Sequence, residues 1–143
     1  MLIGKFEHNL DNKGRISVPA KIRDALREEY HDEKLILTCF EEYLVAYPLR
    51  EWLEISQKIR QAPNMEKGVS DFMRLFFSNA SEVGFDKQGR ILIPPQMRTK
   101  AGIDKAIVMV GVMNKIEIWA LEKWLSFESS VQLDRDKLAS FGI

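Results

Sequence analysis

The sequence predicts an α+β fold in which one structural unit occurs twice, with additional helices between and after the two copies. Three observations favour this fold: a turn motif that recurs along the chain, the same order of short strands and one helix after each motif, and apolar helical stripes outside both units. The chain of 143 residues has the length of one ordinary domain, or of two very small ones that share a core.

The repeat is clearest between residues 7–23 and 82–98, which align at an offset of 75. Seven of these 17 positions are identical, whereas average amino-acid usage would give about one. The identical pairs are Glu7/Glu82, Asp11/Asp86, Gly14/Gly89, Arg15/Arg90, Ile16/Ile91, Pro19/Pro94 and Arg23/Arg98. Residues 34–52 and 106–124 align as well, at an offset of 72. The chain is therefore predicted to be an internal duplication.

In each copy a first strand is predicted to lead into an Asp-x-x-Gly-Arg motif, at residues 11–15 and 86–90. Asp at the first position and Gly at the fourth are preferences of a type I turn, in which the carboxylate can accept a hydrogen bond from the backbone N–H two residues on. The residues assigned to turn formation are Asp11, Gly14, Asp86 and Gly89.

A short strand and a helix are predicted to follow each turn. In the first copy Ile16 and Val18 alternate toward one face of the strand, while Arg15 points to the other. Pro19 ends the strand and suits the first turn of a helix. Two apolar runs then predict a hairpin in each copy. These pair residues 35–38 with 43–47, turning at 41–42, and residues 106–110 with 115–119, turning near 111–114.

Helices are predicted outside the repeated units. One covers residues 50–61 and is broken by Pro63-Asn64; the next carries an apolar stripe over residues 69–77, which indicates core packing or a subunit contact. The tail is predicted to be helical through Phe127 and again over 134–141. The predicted division is 1–52 for the first unit, 53–78 for connecting helices, 79–124 for the second unit and 125–143 for a helical tail.

Charge is segregated along a chain whose formal net charge is zero. Residues 1–27 hold six basic and three acidic side chains, and residues 82–105 hold five and three. The two repeated segments therefore carry the basic excess, which is the electrostatic footprint that nucleic acid requires. No apolar run is long enough for a membrane span and no signal peptide is evident, so we expect a cytoplasmic protein without a membrane partner.

Few residues offer catalytic chemistry. His8 and His31 are the only histidines, and neither lies at metal-ligand spacing with the single cysteine, Cys39, for which a structural role is expected. The sequence contains no phosphate-binding loop, nucleophile elbow or dinucleotide fingerprint. We therefore expect no enzyme activity, cofactor, metal or small-molecule substrate.

The arginine that ends each motif has two interpretations. Arg15 and Arg90 could be surface arginines paired with the Asp of their own turns. Alternatively, an arginine that projects from a rigid turn suits bidentate contact with guanine, and Lys13 and Lys87 would add phosphate attraction. The predicted DNA-binding residues are Arg15, Lys13, Arg90 and Lys87. Arg15 comes first, because Lys13 and Lys21 make the surroundings of its turn more basic.

Together, the paired motifs and the N-terminal segment 4–20 closely resemble the MraZ family of bacterial transcriptional regulators, over essentially the whole chain. The family's paired D-x-x-x-R motifs match Asp11 with Arg15 and Asp86 with Arg90. The resemblance implies a SpoVT/AbrB-like fold, in which two half-motifs interlock into one small β-barrel-like domain. It also implies ring assembly and, at the nucleoid, repression through repeated promoter sites of a cell-division and cell-wall operon that includes the regulator's own gene.

Elementary energetics agree with such an assembly. One unit of about 50 residues buries too little apolar surface to be stable alone, which favours intertwined copies. A neutral monomer would bind DNA feebly, whereas several copies on repeated sites bind by effective concentration. The alternative is an AbrB-like protein-interaction module of the antitoxin type, which a stoichiometric protein partner and the absence of DNA binding at moderate salt would favour.

Overall fold

A computed structural model describes residues 1–62 and 66–143. The described chain forms eight strands and six helices. The first unit consists of β1 (Leu2–Asn9), β2 (Arg15–Ser17), α1 (Ala20–Tyr30), β3 (Leu35–Phe40) and β4 (Tyr43–Pro48). The connecting helices are α2 (Leu49–Arg60) and α3 (Lys67–Ser78). The second unit consists of β5 (Ser81–Val83), β6 (Arg90–Leu92), α4 (Pro95–Lys100), β7 (Ala106–Met113) and β8 (Lys115–Ala120), and α5 (Leu121–Ser130) and α6 (Arg135–Ala139) follow it.

This order of elements confirms the prediction of strand, turn, strand, helix, strand, strand in both units. The two connecting helices are also where the periodicity predicts them, to within a few residues at each end. The predicted break at Pro63-Asn64 lies outside the described residues. Gly102 follows the end of α4 with a φ of 64°. That left-handed conformation is typical of the residue that terminates a helix.

The strands form one antiparallel sheet in the order β1-β7-β8-β4-β3-β5 and one separate ribbon of β2 with β6. Neither unit completes the sheet alone. β1 pairs along its whole length with β7 of the second unit, and β5 pairs with β3 of the first. β4 and β8 join the two hairpins at the centre. Each unit therefore lends its first strand to the hairpin of the other.

The main core lies between one face of the large sheet and a layer made of the β2–β6 ribbon with α1 and α4. Ile16 and Ile91 from the ribbon are 0% and 1% exposed, and Leu26 of α1 is fully buried. Ribbon and helices together cover the sheet because each turns a single apolar face inward. The predicted inward face of the repeated strand is confirmed in both copies.

The other face of the sheet carries aromatic side chains of its own strands and of the helices that pack on it. Phe76 of α3 is buried, stacks on Trp52 with ring centroids 5.1 Å apart, and accepts a 2.7 Å hydrogen bond at its carbonyl from the Thr38 hydroxyl. Trp119 stacks on Tyr43 at 4.3 Å. The stripe over residues 69–77 is thus partly core, as predicted, although Val69 and Phe72 remain 45% and 38% exposed.

The second hairpin differs from its prediction. Val112 pairs with Lys115, so that Met113 and Asn114 form the connection, and Met113 adopts a φ of 63°. Residues 111–113, predicted as turn, instead extend β7 because they also pair with β1. The local sequence pattern could not predict the pairing with β1, which is distant in sequence. In the described part of the chain, no helix is long and apolar enough to cross a membrane.

The exchange of first strands predicts that neither half folds alone. A fragment of residues 1–78 lacks the partners of β1 and β2, and we expect it to show little amide dispersion in a two-dimensional NMR spectrum. Mixing it with a fragment of residues 79–143 should restore the dispersed spectrum of the intact chain. A well-dispersed spectrum from the first fragment by itself would contradict the interlocked pairing.

Candidate nucleic-acid interface

The outer face of the β2–β6 ribbon brings the two motif arginines together. In this antiparallel pair Arg15 lies opposite Leu92, and Ser17 lies opposite Arg90. Since the intervening Ile16 and Ile91 point into the core, these four side chains face outward. The two arginines thus occupy diagonal positions on one small surface. The duplicated sequence has produced a surface with approximate twofold symmetry.

Each turn is built around its aspartate. The Asp11 carboxylate accepts hydrogen bonds from the backbone N–H groups of Lys13 and Arg15, both at 2.9 Å. The Asp11 N–H donates to the Arg15 carbonyl at 2.9 Å, and the Gly14 N–H donates to the Asp11 carbonyl at 3.0 Å. Asp86 makes the same four contacts in the second copy. The predicted role of the aspartate in the turn therefore has a geometric basis in both motifs.

The fourth position of each turn requires glycine. Gly14 has a φ of 79° and Gly89 a φ of 75°, a left-handed conformation that L side chains avoid. Each glycine also binds the turn to the opposite unit. The Gly14 carbonyl accepts from the Ile93 N–H at 3.0 Å, and the Gly89 carbonyl accepts from the Val18 N–H at 3.1 Å. The two turns therefore lie at opposite ends of the ribbon.

The arginines do not project freely, which corrects one expectation. Arg15 donates from Nε to Asp11 at 2.7 Å, and its side chain is 30% exposed. Arg90 does the same with Asp86 at 2.8 Å and is 25% exposed. The structure shows the Asp–Arg pair of the first interpretation. Among the described residues, Nη1 and Nη2 of Arg15 have no protein partner. These two groups therefore remain available for the contact with guanine that the second interpretation requires.

The two arginine sites are not equivalent. Nη1 of Arg90 lies 3.6 Å from the Asp11 carboxylate, in addition to its own Asp86. Asp11 therefore contacts both arginines. The lysines beside the turns, Lys13 and Lys87, are exposed and extend the basic surface at each end of the ribbon.

Two further arginines support the turns, and the site prediction missed them. The Arg23 guanidinium lies over Gly89, where a Cβ would come within 2.6 Å of its Cζ. Arg98 lies over Gly14 in the same way, at 2.7 Å. Each arginine comes from the helix of one unit and packs on the turn of the other. The signal was available, because Arg23 and Arg98 are identical positions of the repeat.

The remaining reactive groups belong to elements other than the ribbon. His8 is in β1, and His31 caps the end of α1. Cys39 is half-buried in β3 and packs against the main core, where burial raises the pKa of its thiol. Among the described residues, no cluster of three or more His, Cys, Asp or Glu side chains could hold a metal ion.

Fold and site together define an internally duplicated α+β protein that presents paired arginines on a two-stranded ribbon. A family model described as "MraZ protein, putative antitoxin-like" matches residues 1–75 and again 76–140. The chain belongs to the MraZ family.

Relatives named "Transcriptional regulator MraZ" match the chain over nearly its full length. The protein from Clostridium beijerinckii is 44% identical over all of both chains. The protein from Desulforamulus reducens is 40% identical, covering 97% of this chain and 95% of the relative. The protein from Lactobacillus helveticus is 41% identical, covering 97% and 94%.

Replacing the turn glycine should destabilise the fold. Gly14→Ala places a Cβ in the left-handed region and displaces Arg98, and we expect a loss of about 1–2 kcal/mol in the free energy of unfolding. Gly68→Ala is the matched control, because Gly68 lies in helix α3 with open space around it. Urea denaturation should show a lower midpoint for the first variant only. Equal midpoints would contradict the turn geometry.

The turn should also respond to acid. The hydrogen bond from the Arg15 backbone, opposed by desolvation but reinforced by the Arg15 side chain, lowers the pKa of Asp11 from 3.8 to about 2. A carboxyl whose pKa is lower in the folded state stabilises that state above its unfolded pKa. This contribution should therefore be lost as the pH falls from about 4 to about 2. NMR titration of the Asp11 carboxyl carbon should give a midpoint near 2 in the folded chain, and a midpoint near 3.8 would contradict it.

Proposed function

We propose that the protein is a sequence-specific DNA-binding transcriptional regulator that uses the outer face of the β2–β6 ribbon. The observation that carries this proposal is the pair of arginines, Arg15 and Arg90, fixed on one exposed ribbon surface. The names of its relatives as transcriptional regulators support the same class of function. The proposal involves no cofactor and no catalytic residue.

The ribbon has a shape that DNA can accept. The major groove of B-DNA admits a two-stranded β-ribbon, and arginine contacts guanine there through two hydrogen bonds. With Nε held by Asp11, the Arg15 guanidinium keeps Nη1 and Nη2 for such a contact. The carboxylate also restricts the rotamers of the side chain before DNA arrives. Preorganisation of this kind lowers the entropy that binding must remove.

Lys13 and Lys87 would contact the DNA backbone. Both are exposed and follow the aspartate of a turn, one at each end of the ribbon. Phosphate contacts position a protein on the duplex without reading sequence, and they make its affinity dependent on salt. The proposed interface therefore divides into two central arginines that specify the site and two outer lysines that position the protein.

Several subunits are needed to make this interface effective. One copy offers two arginines and two lysines at this face, and both arginines are already paired with aspartates, so it gains little from counterion release. We propose that the paired units form a SpoVT/AbrB-like, β-barrel-like domain, and that copies assemble into a ring on repeated promoter sites. Effective concentration then converts weak contacts into tight binding.

The proposed target is the division and cell-wall operon that contains the protein's own gene. We propose that the protein is cytoplasmic, associates with the nucleoid and represses this operon there.

Arg15→Ala tests the proposed interface. We expect this variant to lose retention of a promoter fragment with tandem repeats in a gel-shift assay, since each lost bidentate contact costs about 1–3 kcal/mol and the loss recurs in every subunit. Arg74→Ala is the control, because Arg74 is an exposed arginine of helix α3 whose salt bridge is with Asp71. Light scattering should give the same mass for both variants.

Undiminished binding by Arg15→Ala would contradict the role of Arg15. If the wild-type protein retains no DNA at moderate salt and a pull-down recovers a stoichiometric protein partner, the function is that of an antitoxin-type interaction module.

A further inference from the structure

Leu92 is an apolar residue on the otherwise polar outer face of the β2–β6 ribbon. It is 51% exposed on the outer face of β6, although its neighbours Ile91 and Ile93 are 1% and 0% exposed. The side chains of Ile91 and Ile93 are therefore part of the core, whereas that of Leu92 is not. A single exposed leucine needs no explanation in general. This one lies directly opposite Arg15, within the proposed DNA interface.

The equivalent position in the first copy is different. The offset of 75 places Ser17 where the second copy has Leu92, and Ser17 lies opposite Arg90. Each arginine thus has a cross-strand neighbour, but Arg15 has an apolar one and Arg90 a hydroxyl. The approximate symmetry of the ribbon is broken at these outward positions.

In the major groove, the group that an apolar side chain can recognise is the methyl group of thymine. Thymine is the base that presents a methyl group there, and apolar residues contact it. Cross-strand neighbours have Cβ atoms about 5 Å apart, while stacked bases are separated by about 3.4 Å along one strand. Arg15 and Leu92 can therefore reach adjacent base pairs. A serine hydroxyl both donates and accepts, so Ser17 accommodates several bases.

We propose that Leu92 is a specificity-determining residue that contacts the 5-methyl group of a thymine beside the guanine bound by Arg15. The inference rests on the proposed function and adds to it a preference for thymine at one end of the ribbon. At the other end, Arg90 reads guanine while Ser17 imposes no such preference. One subunit therefore distinguishes the two directions along DNA.

The test removes the methyl group and nothing else. The wild-type protein first selects a binding duplex from a random-sequence library. That duplex is then made with each thymine in turn replaced by deoxyuracil, which lacks the 5-methyl group. Fluorescence anisotropy should show a loss of about fourfold per subunit contact at one thymine beside a required guanine, as expected for burial of one methyl-sized group.

Variants at the two equivalent positions make the result decisive. Leu92→Ser should bind the thymine and deoxyuracil duplexes equally, with an unchanged mass by light scattering. On a duplex made with thymine beside the second guanine, Ser17→Leu should acquire sensitivity to replacement of that thymine by deoxyuracil. Both positions are exposed, so neither variant disturbs the core.

Three results would overturn the proposal. Wild-type binding that no deoxyuracil substitution weakens would remove the role of Leu92 while leaving the proposed function intact. A smaller assembly for Leu92→Ser would show that the leucine is a subunit contact. Failure of the wild-type protein to select any duplex would reject this inference together with the proposed function.

Discussion

The antiparallel pairing of β2 with β6 is the constraint on which the rest of the structure depends. Each strand has only three residues, and each finds its partner in the other unit. The pairing closes the core over the large sheet by burying Ile16 and Ile91. It also fixes both turns through hydrogen bonds at the carbonyls of Gly14 and Gly89. If this ribbon separated, core and candidate interface would be lost together.

The same residues therefore serve the stability of the fold and the proposed recognition of DNA. The Asp11 carboxylate closes its turn through backbone N–H groups and at the same time holds the Arg15 guanidinium. An exposed ion pair adds little to stability by itself. Here its effect is on geometry, because it fixes the direction of a long side chain that solvent would otherwise leave free. Because Asp11 already orients Arg15, the side chain of Arg15 needs no rearrangement when the proposed DNA ligand binds.

Local pattern predicted most of the elements and the four residues that form the turns. Alternation placed Ile16 inward and Arg15 outward, and identity between the copies identified the motifs. What local pattern could not show is which strands pair, because pairing depends on distant residues. For that reason the extension of β7 at residues 111–113 was missed. Identity between the copies marked Arg23 and Arg98, but it could not show that each packs on the turn of the other unit. The sequence left an Arg15 paired with Asp11 and an Arg15 that projects outward as two alternatives, whereas the structure combines the pair with an outward-facing position on the ribbon.

Fusion of the two units in one chain has a consequence for how such a protein can diverge. In a symmetric homodimer every substitution appears twice, so the two halves of its recognition surface must remain the same and their target must be palindromic. Here Ser17 and Leu92 are encoded separately and have become different. The chain keeps the stability of a symmetric fold while each half is free to mutate independently. The outer face of its ribbon therefore differs between its two ends. A DNA-binding surface with such a direction, as proposed here, suits head-to-tail arrays of DNA sites better than inverted pairs.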